Sequence, residues 1–300
     1  MKGEGTLAKQ SQHAYQDRAD ESRGVTILIP WFARPEIAET IAHNSKYFEE
    51  HRAEVLLLLS GSTAVDLASY IDYKHYSFLR VIEISDSAFN KCRALNIGLR
   101  LGRYQHVLVL DADIKLMPNS LREGFDALNE HTFCTIKWVI ETHMSGLQQW
   151  IVRLMTDTLG KRPVSISRRT TVSIDLDNGD KIEQVVYGQD CVTLRRCGCG
   201  LLFAGRDHLR MVGGYNSKVA TWGWEDLDIQ VRLKHTLGLV GMEKGEVVHI
   251  SHNDAQRAAG EHGVVISNTQ NFAYFCSQYL AGDYNGTYDD DITRHTWHEL

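Results

Sequence analysis

Two acidic clusters in this chain have the residue types and spacing for chemistry on a phosphorylated substrate. Asp111-Ala112-Asp113 follows the apolar run His106-Val107-Leu108-Val109-Leu110. An Asp-x-Asp at the end of a buried strand brings two carboxylates within reach of one hard divalent cation, Mn²⁺ or Mg²⁺. Such a cation bridges to diphosphate oxygens and offsets the charge of a leaving nucleoside diphosphate. The triplet alone is a weak signal, because a surface turn with two solvated aspartates has the same sequence. Its place behind a buried strand favours the metal site.

The second cluster is Trp222-Gly223-Trp224-Glu225-Asp226-Leu227-Asp228. Acids in the first turn of a helix are favoured by the helix dipole, which explains one or two of them without any function. It does not explain the Trp-Gly-Trp lead-in. A loop carrying glycine and a large aromatic can close over a donor and exclude water. An aspartate beside it can take a proton from an acceptor hydroxyl, and an ordinary aspartate, with a pKa of about 4, is ionised at neutral pH. A third group, His249 and His252 in Val248-His249-Ile250-Ser251-His252, follows the last strand. Imidazole beside aspartate favours Mn²⁺ over Mg²⁺. For His249 a role as a satisfied core or surface residue is an equal alternative.

The elements that must position these residues are legible as a pattern. Strands are expected at 25–29, 54–59, 79–84, 106–110, 133–140, 201–204 and 246–250. Helices are expected from Pro35 through Phe48, over 90–103, from a Ser120/Glu123 capping box through Leu128, over 146–159, over 206–212 and over 226–236. Strands alternating with helices imply βαβ units and a mostly parallel, doubly wound sheet, which binds ligands at the carboxyl ends of its strands. Asp111 and Asp113 stand at such an end. Between 164 and 187 the alternation breaks. There two β-rich runs flank Asp177-Asn178-Gly179-Asp180, and Asn-Gly between strands signals an inserted hairpin.

Bulk properties narrow the classes. A chain of 300 residues permits one large α/β domain or two small ones. A net charge of −6 does not indicate a general nucleic-acid surface. No apolar run reaches membrane-spanning length, and the polar residues 1–23 lack the apolar core of a secretory signal. They read as a mobile or surface-lying tail. The six cysteines show no secreted disulfide framework, so a reducing, cytoplasmic location is expected. Cys191, Cys197 and Cys199 lie close together with His208 nearby, but the spacing matches no standard zinc pattern. Buried free thiols are the favoured reading.

With these residues in place the chain resembles GT-A-fold glycosyltransferases, specifically the inverting β-1,4-galactosyltransferase and chondroitin-polymerase-like group (glycosyltransferase family 2 and family 7 C-terminal type). The resemblance covers roughly 25–254 in four ordered blocks. They are Ile29-Pro30-Trp31-Phe32-Ala33-Arg34; Phe89-Asn90-Lys91-Cys92-Arg93-Ala94-Leu95-Asn96-Ile97-Gly98; Asp111-Ala112-Asp113; and Gly213-Gly214-Tyr215 with Trp222 to Asp228 and His249 to His252.

The resemblance implies an α/β GT-A fold, with a Rossmann-like, mostly parallel sheet flanked by helices and an inserted β-hairpin. A polar tail (1–23) would precede one domain (24–275). That domain would divide into a nucleotide-binding half (24–113) and an acceptor and catalytic half (114–275), with a C-terminal extension at 276–300. The resemblance also implies site roles. Asp113, His252 and His249 would hold the metal. Asp226 would be the base, with Glu225 and Asp228 positioning the acceptor or the loop. Pro30, Phe32, Arg34, Phe89, Lys91, Asp111, Ala112, Trp222 and Gly223 would line the nucleotide-sugar site, Trp222 covering the donor.

The implied activity is inverting, Mn²⁺- or Mg²⁺-dependent transfer of a hexose or N-acetylhexosamine from a UDP-sugar to a hydroxyl of a glycan, lipid-linked sugar, peptide or modified base. A retaining N-acetylgalactosaminyltransferase-like enzyme and a non-catalytic nucleotide-sugar-binding module are the alternatives. The chain departs from the galactosyltransferase pattern at Trp224, where that pattern has glycine, and at His249, where methionine is common. It also lacks the stem and anchor of Golgi enzymes, which suggests a bacterial or phage type.

Overall fold

The computed structural model describes residues 24–143, 146–159, 167–190, 192–219, 223–251 and 263–300. The tail 1–23, Cys191, Trp222 and His252 therefore lie outside the described residues.

The strands are β1 (Val25–Trp31), β2 (Ala53–Ser60), β3 (Leu79–Ile84), β4 (His106–Val109), β5 (Ile114–Leu116), β6 (Thr132–Glu141), β7 (Ser167–Asp175), β8 (Lys181–Asp190), β9 (Arg196–Gly205), β10 (Val240–His249) and β11 (Trp297–Glu299). The helices are α1 (Glu36–Glu50), α2 (Ala64–Ala68), α3 (Lys91–Leu101), α4 (Ser120–Asp126), α5 (Gly146–Leu159), α6 (Arg206–Met211), α7 (Glu225–Leu237), α8 (Gly263–Leu280) and α9 (Tyr288–Arg294).

One sheet runs β11-β3-β2-β1-β4-β9-β6-β10-β5, with the β7–β8 hairpin attached through β8 to β9. Strands β3, β2, β1 and β4 are parallel and form the Rossmann-like half. Strand β9 enters antiparallel to β4 and β6, and β6 pairs parallel with β10. β1 and β2 are buried along their whole length because helices cover both faces, which is why they read as unbroken apolar runs. α1 packs one face through Ile37, Ile41 and Phe48; α3 packs the other through Leu95, Ile97 and Leu99. The hairpin buries Ile174, Leu176 and Ile182 with Phe275 and Tyr279 of α8.

One expected feature is overturned. Ser120 and Glu123 form no capping box: Asn119, in the left-handed region at φ 69°, precedes the helix and makes no side-chain cap bond. Ser120 Oγ donates instead to Glu246 O, and Glu123 Oε2 accepts from Gly245 N at 3.0 Å. Both side chains are used to dock α4 on β10. Residues 276–300 continue α8 and end in β11, which pairs antiparallel with β3 (Trp297 opposite Ile84).

Candidate active site

The two acidic clusters meet because three element ends converge. β4 runs into Leu110-Asp111, α3 starts at Lys91 and α7 starts at Glu225. Asn90 caps α3, its side chain accepting from Arg93 N, and its own N–H is held by Ser60 Oγ. This fixes Lys91 at the mouth of the sheet. Lys91 Nζ lies 3.3 Å from Asp111 Oδ1, 3.2 Å from Glu225 Oε1, and 3.2 and 3.3 Å from the two oxygens of Asp226. Desolvation opposes the Lys91 charge, but the carboxylates of Asp111, Asp226 and Glu225 outweigh it and hold the pKa well above the ordinary lysine value. Burial pushes the Asp226 carboxyl up, Lys91 pulls it down, and Glu225 and Asp111 push it up again; the net direction is well upward. The sequence-based expectation of an untuned aspartate is therefore replaced by a half-buried carboxylate set among like charges.

Behind Asp226 stands Gly200 of β9. A Cβ there would lie 2.5 Å from Asp226 Oδ2, so only glycine leaves room for the carboxylate. Gln230, one turn along α7, donates to Cys199 O at 2.7 Å and ties the helix to the same strand. Asp228 turns inward instead. It is 1% exposed, accepts from Arg232 Nη2 at 2.6 Å and from Tyr279 Oη at 2.8 Å, and Arg232 in turn donates to Val212 O and Gly214 O. Its place is structural, locking α7 to the Gly213-Gly214 turn and α8. Trp224 has φ 75°, a region that favours glycine, and its ring stacks 4.5 Å from Phe272 and 5.1 Å from Phe275. Gly223, at φ 97°, donates no side chain but its carbonyl accepts from Asn271 Nδ2 at 3.0 Å.

The second half of the site is assembled by strand register. β10 runs between β5 and β6, so that His249 stands opposite Ile114 on one side and Glu141 on the other. Ile250 N donates to Asp113 O at 2.8 Å. Thr40 and Asn44 of α1 clamp the Asp-x-Asp backbone: Thr40 Oγ1 donates to Ala112 O, and Asn44 bonds Ile114 O and Leu116 N, all at 2.8 Å. His249 Nε2 then lies 3.5 Å from Asp113 Oδ2, and its Nδ1 2.6 Å from Glu141 Oε2. Burial opposes a charge on His249, but Asp113 and Glu141 push its pKa up to about 9. Glu141, despite its own desolvation, is held down to about 2 by His249 and Arg196.

This donor set fits a first-row cation. Neighbouring ligands of such an ion, each at about 2.1 Å, stand roughly 3 Å apart. A metal-bound imidazole gives its other N–H to a carboxylate, the position Glu141 holds. Among the described residues no group of three or more His, Cys, Asp or Glu side chains forms a metal cluster. Cys197, Cys199 and His208 are among those residues, and His252 is not.

Around this pair, Arg34 Nη1 is 3.9 Å from Asp113 Oδ2 and is buried without a hydrogen-bond partner. Phe32 and Phe89 stack at 5.7 Å beside buried Pro30. The structure thus brings together Pro30, Phe32, Arg34, Phe89, Lys91, Asp111, Ala112, Asp113, Gly223, Glu225, Asp226 and His249 at one end of the sheet. Sequence reasoning missed Glu141, Gly200 and Gln230. Glu141 carries the one available signal, the end of a strand beside the strand of His249.

The family described as glycosyl transferase family 2 matches residues 26–178, half of the chain, and the family described as the N-terminal domain of galactosyltransferase matches residues 192–253. The chain belongs to glycosyl transferase family 2. Its boundaries fit the architecture, since the first match holds the Asp-x-Asp half of the sheet and the second holds α7 and β10.

Chondroitin synthase of Pasteurella multocida (strain Pm70) is 23% identical to this glycosyltransferase over 221 residues, covering 70% of this chain and 23% of that protein. Hyaluronan synthase of Pasteurella multocida is 24% identical over 222 residues, covering 70% and 22%. The chain thus spans less than a quarter of either relative. Among solved structures, GalNAc-T7 with UDP, GalNAc and Mn²⁺ shares the fold at TM-score 0.52 and 13% identity, over 90% of this chain and 54% of that one. S. aureus TarS does so at TM-score 0.50 and 13% identity, over 90% and 42%. The fold is the GT-A glycosyltransferase fold. Among the described residues no helix is long and apolar enough to cross a membrane.

Proposed function

We propose that this chain is an inverting, metal-dependent glycosyltransferase that moves a hexose or N-acetylhexosamine from a UDP-sugar to an acceptor hydroxyl. The observation that carries this reading is the placement of a half-buried carboxylate, Asp226, and a cation-fitting pair, Asp113 and His249, at one end of the sheet. Phe32, Phe89 and Pro30 line the slot for the uracil ring. Arg34 and Lys91 supply positive charge to the diphosphate. Asp113 Oδ2 and His249 Nε2, with His252, would hold Mn²⁺ or Mg²⁺, and Glu141 fixes the imidazole with Nε2 toward Asp113. When bound, the cation supplies Lewis acidity to the departing diphosphate.

Asp226 takes the proton of the acceptor hydroxyl as the oxygen attacks the anomeric carbon, and Gly200 keeps the carboxylate aimed. Glu225 orients the acceptor. Gly223 and Trp222 belong to the loop that covers the donor and excludes water. The donor half would be residues 24–113 and the catalytic half 114–275. The names of the Pasteurella relatives, a chondroitin and a hyaluronan synthase, make a glycan the favoured acceptor.

The test is release of UDP from a panel of UDP-sugars, with Mn²⁺ or with EDTA, for wild type, Asp113→Ala and Asp226→Asn. Metal-dependent hydrolysis of one donor, lost in Asp113→Ala, is expected and identifies the sugar. Silence with every donor would refute a UDP-sugar transferase. Once an acceptor is in hand, retention at the anomeric carbon would refute the inverting mechanism.

A further inference from the structure

Lys91 does more in this geometry than bind a phosphate. It begins α3, and a cation is disfavoured at a helix N-terminus, where the dipole attracts anions. The first turn of α3 carries no acid. The ammonium is therefore held in place by the three carboxylates that converge on it from two other elements. Lys91 Nζ donates to Glu225 Oε1 and to the two oxygens of Asp226, and Asp111 Oδ1 lies 3.3 Å away as an ion pair. A diphosphate arriving at this strand end adds negative charge that draws the ammonium away from the carboxylates it holds.

The Asp226 contact is split between two oxygens at 3.2 and 3.3 Å, long for a charge-assisted bond. Asp226 itself has little freedom to follow, because Gly200 backs directly onto Oδ2 and α7 is pinned by Gln230 and Arg232. Lys91, with four methylenes, is the partner that moves.

Resting on the UDP-sugar reading above, we infer that Lys91 is a positioning residue that couples donor binding to release of the base. Without donor, its ammonium neutralises Asp226 and fills the place of the acceptor proton. With donor, the diphosphate draws the ammonium toward itself. Asp226 is then left between Glu225 and Asp111 with its negative charge uncompensated, which strengthens it as a proton acceptor. Acceptor activation then depends on a filled donor site.

The coupling is measurable without knowing the acceptor. UDP binding in the presence of Mn²⁺ is titrated by calorimetry on the full chain for wild type, Lys91→Gln, Lys91→Arg, Asp226→Asn and the Lys91→Gln/Asp226→Asn pair. If Asp226 competes with the diphosphate for Lys91, Asp226→Asn tightens UDP about five- to tenfold, and that gain disappears in the Lys91→Gln background and survives with Lys91→Arg. Thermal midpoints identify any variant that fails to fold, and Glu225→Gln replaces Asp226→Asn in the same cycle if it does. An equal gain with and without Lys91 would mean simple relief of repulsion and overturns the inference. Unchanged or weaker UDP binding in Asp226→Asn overturns it as well. Failure of wild type to bind UDP overturns the donor reading itself, and the inference with it.

Discussion

Asp226 and Gly200 form a pair in which the smaller residue sets what the larger can do. The ideal Cβ at position 200 falls 2.5 Å from Asp226 Oδ2, so the half-buried carboxylate must move to admit it. Gly200→Ala should therefore displace the base without touching the donor site. A misplacement of about 1 Å costs on the order of a hundredfold in rate. We expect kcat to fall about 10- to 100-fold while the UDP dissociation constant stays within about twofold; steady-state kinetics beside calorimetry would show it.

Cys197 offers a second test at this scale. The neighbouring Cys199 side chain, against the opposing effect of burial, and the Gly188 N–H bring its pKa down to about 6. Cys199 moves the opposite way, raised by the neighbouring Cys197 and by burial. The thiolate is the reactive form, so its population falls as pH drops through the pKa. Iodoacetamide labelling, read by peptide mass mapping, should find Cys197 half-maximally reactive near the pH of its shifted pKa and Cys199 inert at neutral pH. Equal labelling of both would contradict these opposite shifts. Asp111, Asp113 and Asp226 were visible in the sequence because their types stand behind a buried strand or open a helix. The Lys91–Asp226 contact was not, because it joins residues 135 apart whose meeting depends on how three elements end.

Register does at the element scale what spacing does at the residue scale. Shifting β10 by one residue against β6 would turn His249 to the other face and separate it from both Asp113 and Glu141. The sequence showed a strand and a histidine at its end, but not its neighbours, so Glu141 went unread. Its bond to Nδ1 at 2.6 Å leaves Nε2 as the nitrogen facing Asp113. Glu141→Gln keeps the shape and loses the charge, and loss of such a partner typically costs 10- to 100-fold in metal affinity. We expect about that loss in Mn²⁺ affinity, read from free Mn²⁺ by electron paramagnetic resonance, with UDP-free thermal stability little changed. An unchanged Mn²⁺ affinity would place the cation elsewhere.

Local signals could also mislead. Ser120 and Glu123 have capping-box spacing, yet β10 offers them tertiary partners and takes both side chains. Trp224 stands where the related pattern has glycine, and its positive φ explains that preference. Stacking on Phe272 and Phe275 offsets the roughly 1–2 kcal/mol that a left-handed backbone costs a non-glycine residue.

For the whole molecule, the Rossmann-like half was legible because parallel strands buried on both faces write long apolar runs. The region after residue 254 was not. α8 carries too mixed a face, and β11 is three residues long and pairs across the fold with β3. Yet that region closes the structure. Asp291 of α9 accepts from Asn96 Nδ2 at 2.7 Å and from Ser217 Oγ and Thr287 Oγ1 at 2.8 Å, all in the interior. Gly286 lies so close to Gly213 that a Cβ there would stand 2.2 Å from Gly213 O. β11 covers the edge of β3, and Arg80 forks onto Glu299 with two contacts of 2.7 Å.

These contributions differ in kind, and truncation separates them. Removing residues 297–300 loses a largely solvent-facing ion pair and a short strand; such a pair is worth about 0–1 kcal/mol after screening, so the thermal midpoint should move little. Both truncations bare the β3 edge. Removing 286–300 in addition strips Asn96 and Ser217 of a buried charged partner, each such loss costing about 1–3 kcal/mol. The longer truncation should therefore melt several degrees below the shorter, with Asp291→Ala between them. Equal midpoints for the two truncations would show that the Asp291 cluster does not hold α3 and the Gly213-Gly214 turn in place. The donor site would then owe its rigidity to α1 alone, through Thr40 and Asn44.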